Sequence, residues 1–254
     1  MAVICASCGA DNDAGRKFCL ECGTPLAAAC PACGSPNPPA ARFCGECEID
    51  EVEGWATARV AEEPSLASSL SGIQSARALQ HGDLATASSR SLEGGRLGPY
   101  NAVSSFSEAT LFALLAGDRG LAEQSLQALR ATGSHAAVAG LVARVGEAGI
   151  AALDGRVDAA RAGLLAAYAA LRDLGAARKQ AITGLVMAML LGTADARVRA
   201  AISDSRQLFE RMGAGLWLGL LDDAEAGQVA APAARAAAPH PGVLPSAPVP
   251  ADQA

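Results

Sequence analysis

All eight cysteines of this 254-residue chain lie between Cys5 and Cys47, and none follows. They form four Cys-x2-Cys pairs: Cys5 and Cys8, Cys19 and Cys22, Cys30 and Cys33, Cys44 and Cys47. Ten residues separate the first pair from the second, ten separate the third from the fourth, and seven divide the halves. The segment is therefore an internal repeat with a period of 25, which brings Gly9 onto Gly34, Asn12 onto Asn37, Phe18 onto Phe43 and Glu21 onto Glu46. A secreted disulfide framework would not crowd its cysteines into one end in such pairs. The chain reads as a cysteine-rich head on a cysteine-free body.

Each Cys-x2-Cys turn can present two thiolates to one ion, and two turns complete a tetrahedron with sulfur ~2.3 Å from zinc. The glycines after Cys8, Cys22 and Cys33 suit the tight turn, because glycine accepts positive φ without steric penalty. A lobe of roughly 20 residues cannot bury a sufficient core. Metal supplies the deficit, at an apparent ~10–16 kcal/mol for structural zinc in small peptides. Phe18 and Phe43, each beside a turn, are expected to lie over the metal loops as small apolar lids. Four thiolates per ion leave no position for water or substrate, which points to structural rather than catalytic metal. Iron in a rubredoxin-like site, and a thiol switch that releases zinc on oxidation, stay open alternatives.

On these cysteines, glycines, asparagines and phenylalanines, residues 3 to 48 resemble the double zinc ribbon that begins many bacterial and some eukaryotic multidomain proteins. The resemblance implies two structural zinc ions, one on Cys5, Cys8, Cys19 and Cys22 and one on Cys30, Cys33, Cys44 and Cys47. The sequence departs from the pattern at Glu48, where the family has glycine after the last cysteine, so the second ribbon is expected to be slightly strained or looser there.

Charge narrows the partners. The formal net charge is -6, and two loaded four-thiolate sites take it to about -10. In the head, Arg16, Lys17 and Arg42 face Asp11, Asp13, Glu21 and Glu46, and no basic stripe forms. Nucleic acid is not expected as a partner, nor is an anionic membrane. The longest uncharged stretch without proline, Gln180 to Ala194, is too short for a transmembrane helix. Met1 to Cys8 lacks the basic start of a signal peptide. The expected location is cytoplasmic, where thiols stay reduced.

Residues 49 to 65 are acidic, contain Gly54, Trp55 and Pro64, and read as a linker. Residues 66 to 223 carry alanine and leucine at helical spacing. Val198, Ile202, Ser205, Phe209 and Met212 form one stripe, Val157, Ala160, Leu164, Tyr168 and Leu171 a second, and Val138, Leu141, Val142, Val145, Gly149 and Leu153 a third. Turns at Gly82-Asp83, Gly117-Asp118, Gly155-Arg156 and Gly192-Thr193 recur at intervals of 35, 38 and 37 residues, as stacked helix-turn-helix repeats would. Glycine ends one helix, and Asp83, Asp118 and Asp195 can cap the next. Gly140, Gly146 and Gly163 would let helices approach closely, whereas Gly94, Gly95, Gly98 and Pro99 weaken the first unit. A plain helical bundle is the alternative. The array resembles degenerate tetratricopeptide repeats. Its end, Ser205 to Gly213 with Leu216-Trp217 and Leu220-Leu221, resembles that of large bacterial proteins joining a double zinc ribbon, a cyclase, an ATPase and such repeats. No room exists here for the cyclase, and neither Lys17 nor Lys179 sits in a phosphate loop. Residues 224 to 254, rich in alanine and proline, are expected to be a disordered tail.

His81, His135 and His240 are scattered, and no Gly-x-Ser-x-Gly or His-Glu-x-x-His pattern occurs. Asp11-Asn12-Asp13 opens like a calcium loop but lacks its glycine and distal glutamate, and reads as a turn. The expected fold is a small metal-stabilised double zinc ribbon followed by an all-α, tetratricopeptide-like domain. The expected role is a zinc-binding, non-enzymatic protein-interaction or regulatory module. A nucleic-acid-associated regulator and a trans-acting remnant of a cyclase/ATPase signalling protein are the alternatives.

Overall fold

The structure, a computed structural model, describes residues 3–4, 8, 10–12, 16, 18–23, 26, 28–29, 36–37, 45–63 and 65–227. Two short antiparallel ladders build the head. Strand β1 (Val3–Ile4) pairs with β2 (Asp11–Asn12), setting Val3 opposite Asn12. Strand β3 (Ala28–Ala29) pairs with β4 (Pro36–Asn37), setting Ala28 opposite Asn37. The second ladder repeats the first at an offset of 25 residues, so the sequence period is also a backbone period. Asp11-Asn12, expected as a turn, is a strand whose pairing turns Asn12 inward; its side chain is 3% exposed.

Among the described residues ten helices follow: α1 (Gly45–Arg59), α2 (Leu66–Gln80), α3 (Leu84–Leu97), α4 (Ala102–Ala116), α5 (Arg119–Ala131), α6 (Ala137–Leu153), α7 (Val157–Asp173), α8 (Ala177–Leu191), α9 (Ala196–Arg211) and α10 (Gly215–Glu225). None is long and apolar enough to cross a membrane. The chain thus follows an N-terminal double ribbon with an all-helical region. It divides into two compact units, Met1–Ser105 and Phe106–Ala254, with the division inside α4. The proposed tail lies almost entirely outside the described residues; its first residues, Ala224 and Glu225, close α10.

Residues 49 to 59, read above as linker, are helical. Gly54 costs about 1 kcal/mol of propensity relative to alanine, but α1 gains partners on α2. Arg77 binds Glu53 at 2.8 Å and Asp50 at 2.9 Å, Gln74 donates to Glu53, and Ala56 is 2% exposed. The Arg77 hydrogen bond holds the Glu53 carboxyl below its usual range against the opposing effect of burial. Within the same unit, Gly94 and Gly95 lie inside α3 rather than breaking it. A Cβ on Gly94 would sit 3.2 Å from Ser71 Cβ, so glycine lets α2 and α3 close up while Ser68 Oγ donates to the Gly94 carbonyl at 2.8 Å.

In the second unit the expected turns recur. Gly117, Gly155 and Gly192 take φ between +68° and +79°, as Gly82 does in the first unit. Asp118 caps α5 through the Leu121 N–H at 2.9 Å and Asp195 caps α9 through Arg197 and Val198, as Asp83 caps α3 through Thr86. The Arg156-led turn keeps the geometry without an aspartate cap. Of the three predicted stripes, Leu164, Leu171, Ile202 and Phe209 are fully buried, while the terminal members Val157 and Met212 are 41% and 43% exposed. Trp217 stacks between Phe112 and Phe209, at centroid separations of 5.9 and 6.2 Å.

Small residues bring helices together where aromatics are scarce. A Cβ on Gly163 would lie 2.8 Å from Ala148 Cβ, and one on Gly146 would lie 2.9 Å from Thr110 Cγ2. Gly140, expected to act likewise, has nothing within 4 Å of such a Cβ. At the α8–α9 crossing Gly184 faces Ser205, whose Oγ lies 2.8 Å from the Ala201 carbonyl and 3.3 Å from the Tyr168 hydroxyl.

Candidate metal centre

Three of the predicted ligands are described in full. The sulfurs of Cys8, Cys19 and Cys22 all lie within 4.8 Å of one another, with Cys8 and Cys19 Sγ 3.6 Å apart. A tetrahedron of thiolates at ~2.3 Å from zinc has edges of ~3.8 Å, so this spacing suits three corners around one ion. Sulfur-only donors favour zinc or iron over hard cations.

The local chain explains how the sulfurs meet. The Gly23 N–H donates to the Cys19 carbonyl at 3.0 Å, and Gly23 takes φ +70°, so the chain turns sharply after Cys22. That turn aims the backbone N–H of Cys22, and then that of Glu21, at Cys19 Sγ. The Cys22 hydrogen bond is the main reason the Cys19 thiol is held below its ordinary pKa, with burial opposing it and Asn12 and Cys8 assisting. The shift is toward the thiolate, the metal-binding form.

Asn12 completes the surroundings. Its Nδ2 donates to the Ala10 carbonyl at 2.9 Å and reaches Cys19 Sγ at 3.5 Å, while its Oδ1 accepts from the Leu20 N–H at 2.9 Å. One carboxamide thus ties β2 to the cysteine turn and touches a ligand sulfur. In the sequence Asn12 stands within Asp11-Asn12-Asp13, read as a turn, and recurs at Asn37; the recurrence is the signal of its structural role.

Phe18 does not act as the expected lid, being 59% exposed. Cys19 enters the turn with its side chain buried, and its neighbours Phe18 and Leu20, 59% and 64% exposed, face out. Leu26, 3% exposed, packs beside Cys19 with Ala10 instead.

Cys5, Cys30, Cys33, Cys44 and the Phe43 ring lie outside the described residues. Cys47 and Glu48 belong to α1, where their backbone is described and their side chains are not. The strain expected at Glu48 has no basis in that backbone. After Cys22 the chain needs positive φ and has Gly23, whereas after Cys47 it continues as a helix and any residue serves.

Comparison with known proteins agrees with this geometry. Residues 5–48 match the double zinc ribbon family. No curated protein and no solved structure matches the chain. The head is a zinc-binding module.

Proposed function

We propose that the chain is a non-enzymatic, zinc-folded interaction or regulatory protein. In this reading one structural ion sits on Cys5, Cys8, Cys19 and Cys22, and a second on Cys30, Cys33, Cys44 and Cys47. The observation that carries it is the thiolate cluster of Cys8, Cys19 and Cys22, which Cys5 would complete to four protein sulfurs with no open position. The matching register of the two ladders supports a second site of the same design.

The helical body supports a tetratricopeptide-like reading through its glycine-turned helix pairs at intervals of 35 to 38 residues. Such pairs offer extended faces to other proteins. In the second unit a groove of about 610 Å³, lined by His135, Leu141, Arg144, Ala170 and Leu174, is one face of this kind.

Metal analysis of purified protein by mass spectrometry tests the first part, with two zinc ions per chain as the expected result. Zinc below one per chain, or iron in its place, would sink it. In-cell cross-linking followed by protein identification tests the second, and repeated recovery of nucleic acid with no protein partner would favour the alternative regulator.

A further inference from the structure

The inner side of α1 is accounted for: Ala56 is buried, and Glu53 and Asp50 are held by Arg77 of α2. Its outer side is not. Val52, Trp55 and Arg59, spaced three and four apart, share one stripe. Val52 is 43% and Trp55 50% exposed, and neither contributes to the core. The guanidinium of Arg59 lies 5.1 Å from the Trp55 ring centroid, so the indole already serves as a cation acceptor within its own helix. Around it carboxylates predominate. Residues 50 to 63 carry five carboxylates and one arginine; of the five, Glu51 and Glu62 are exposed and not engaged by α2, and Glu63 is held only by an exposed pair with Arg59 at 3.8 Å. Glu51 stands one turn before Trp55 on the same side.

We infer that this outer face of α1 docks a basic peptide segment of a partner protein. The arrangement pairs a half-exposed tryptophan with an aliphatic neighbour and a carboxylate rim. An arginine of the partner replaces the exposed Arg59 on the Trp55 ring, its methylene stem lies on Val52, and its charge is met by Glu51, Glu62 and the Glu63 that Arg59 releases. Tryptophan and arginine are the side chains most often found at the energetic centre of interfaces. A nucleic acid is repelled by the same carboxylates. The inference deepens the interaction reading above and rests on it, adding the surface and the chemistry of the occupant.

The test uses the zinc-loaded full chain and two fluorescein-labelled probes, (Arg-Ala-Leu)3 and (Glu-Ala-Leu)3, read by fluorescence anisotropy. The arginine peptide is expected to bind and the glutamate peptide is not. Trp55→Ala should weaken binding at least tenfold and Glu51→Gln by a fewfold, with circular dichroism and zinc content unchanged. Because Trp55 is half exposed, its loss does not empty a core; Trp55→Phe, which keeps a weaker ring, should fall between the two. Equal binding of the arginine peptide by Trp55→Ala would reduce the effect to net charge and overturn the inference, as would no binding by the wild type. If the probe fails while cross-linking still recovers a protein partner, only the assignment to α1 is lost; if both fail, the interaction reading falls with it.

Discussion

Replacing Asn12 with alanine probes the metal centre where its geometry is best defined. The buried carboxamide makes three contacts: to the Ala10 carbonyl at 2.9 Å, to the Leu20 N–H at 2.9 Å and to Cys19 Sγ at 3.5 Å. Alanine removes all three, leaving a buried thiolate without one of its N–H donors and the turn untied from β2. Loss of an outer partner of a metal ligand costs 10–100-fold in affinity, or ~1.4–2.7 kcal/mol at ~1.4 kcal/mol per tenfold. A hydrogen bond to a charged acceptor is worth about 1.5–3 kcal/mol by itself, so the two routes agree. The upper half of the range is expected, since the same side chain also positions the cysteine turn. The assay is competition with a chromophoric chelator, checked by the thiolate-to-metal absorption of the cobalt form. One ion should leave at chelator concentrations roughly 30–100-fold lower and the other as in wild type. Asn37→Ala, one repeat further on, should shift the other ion. Asn12→Asp keeps the acceptor for Leu20 but sets a second anion beside Cys19, and should weaken zinc at least as much as alanine. An Asn12→Ala chain that holds both ions within threefold of wild type would refute the reasoning.

Removing zinc with excess chelator should abolish the head ladders and loosen the start of α1, which carries Cys47, while hydrogen exchange in α6 to α9 stays unchanged. Gly184→Ala should destabilise the second unit by roughly 1–3 kcal/mol, because the new Cβ would lie 1.9 Å from Ser205 Oγ and 2.7 Å from Ser205 Cβ, an overpacking cost larger than the helix-propensity gain. Gly140→Ala, with no atom within 4 Å of the new Cβ, should stabilise by about 0.5–1 kcal/mol; urea unfolding followed at Trp217 in a Trp55→Phe background reads both. Lys179 is the pH probe: burial lowers its pKa from 10.5 to about 8, opposed by Glu108 at 3.8 Å. The unfolded chain then binds more protons between pH 8 and 10.5, so stability rises with pH across that window, by at most about 3 kcal/mol. In Lys179→Met that rise should vanish and stability at pH 7 should increase, provided Arg178, 2.5 Å from Glu108, keeps the carboxylate paired.

What the sequence made legible follows from periodicity. Cysteine spacing of 2, 10 and 2 residues leaves few ways to gather the sulfurs, and the described trio meets as expected. The glycine-aspartate turns were equally legible, since a left-handed glycine and a capping carboxylate act within one turn of helix. Direction was harder. Phe18 reads as a lid by adjacency to Cys19, yet the two side chains diverge, Cys19 buried and Phe18 exposed. Gly94 reads as a helix breaker until Ser68 and Ser71 of α2 are seen against it. Asn12 could be found only as a repeated residue, because its role depends on a fold that brings Leu20 and Cys19 back to it.

The boundary between head and body was drawn at residue 48 because the cysteines stop there, but the backbone does not stop with them. Helix α1 begins at Gly45, between the last two predicted ligands, so Cys47 lies in the first turn of a helix that packs on α2 through Glu53, Asp50 and Ala56. The acidic run from Asp50 to Glu53 looks like solvated linker in sequence, because Asp50 and Glu53 are held by Arg77, 24 residues beyond Glu53. In space two of its carboxylates become the anchor of α1. The same Gly45 start explains why Glu48 can replace the usual glycine: a chain that enters a helix needs no left-handed residue, whereas a chain that turns back, as at Gly23, does. On the proposed ligand set, metal binding at the second site and helix formation in α1 draw on the same few residues. A ligand that occupied the outer face of α1 would bear directly on the segment that carries Cys47, which gives an interaction at Trp55 a physical route to the proposed second zinc site.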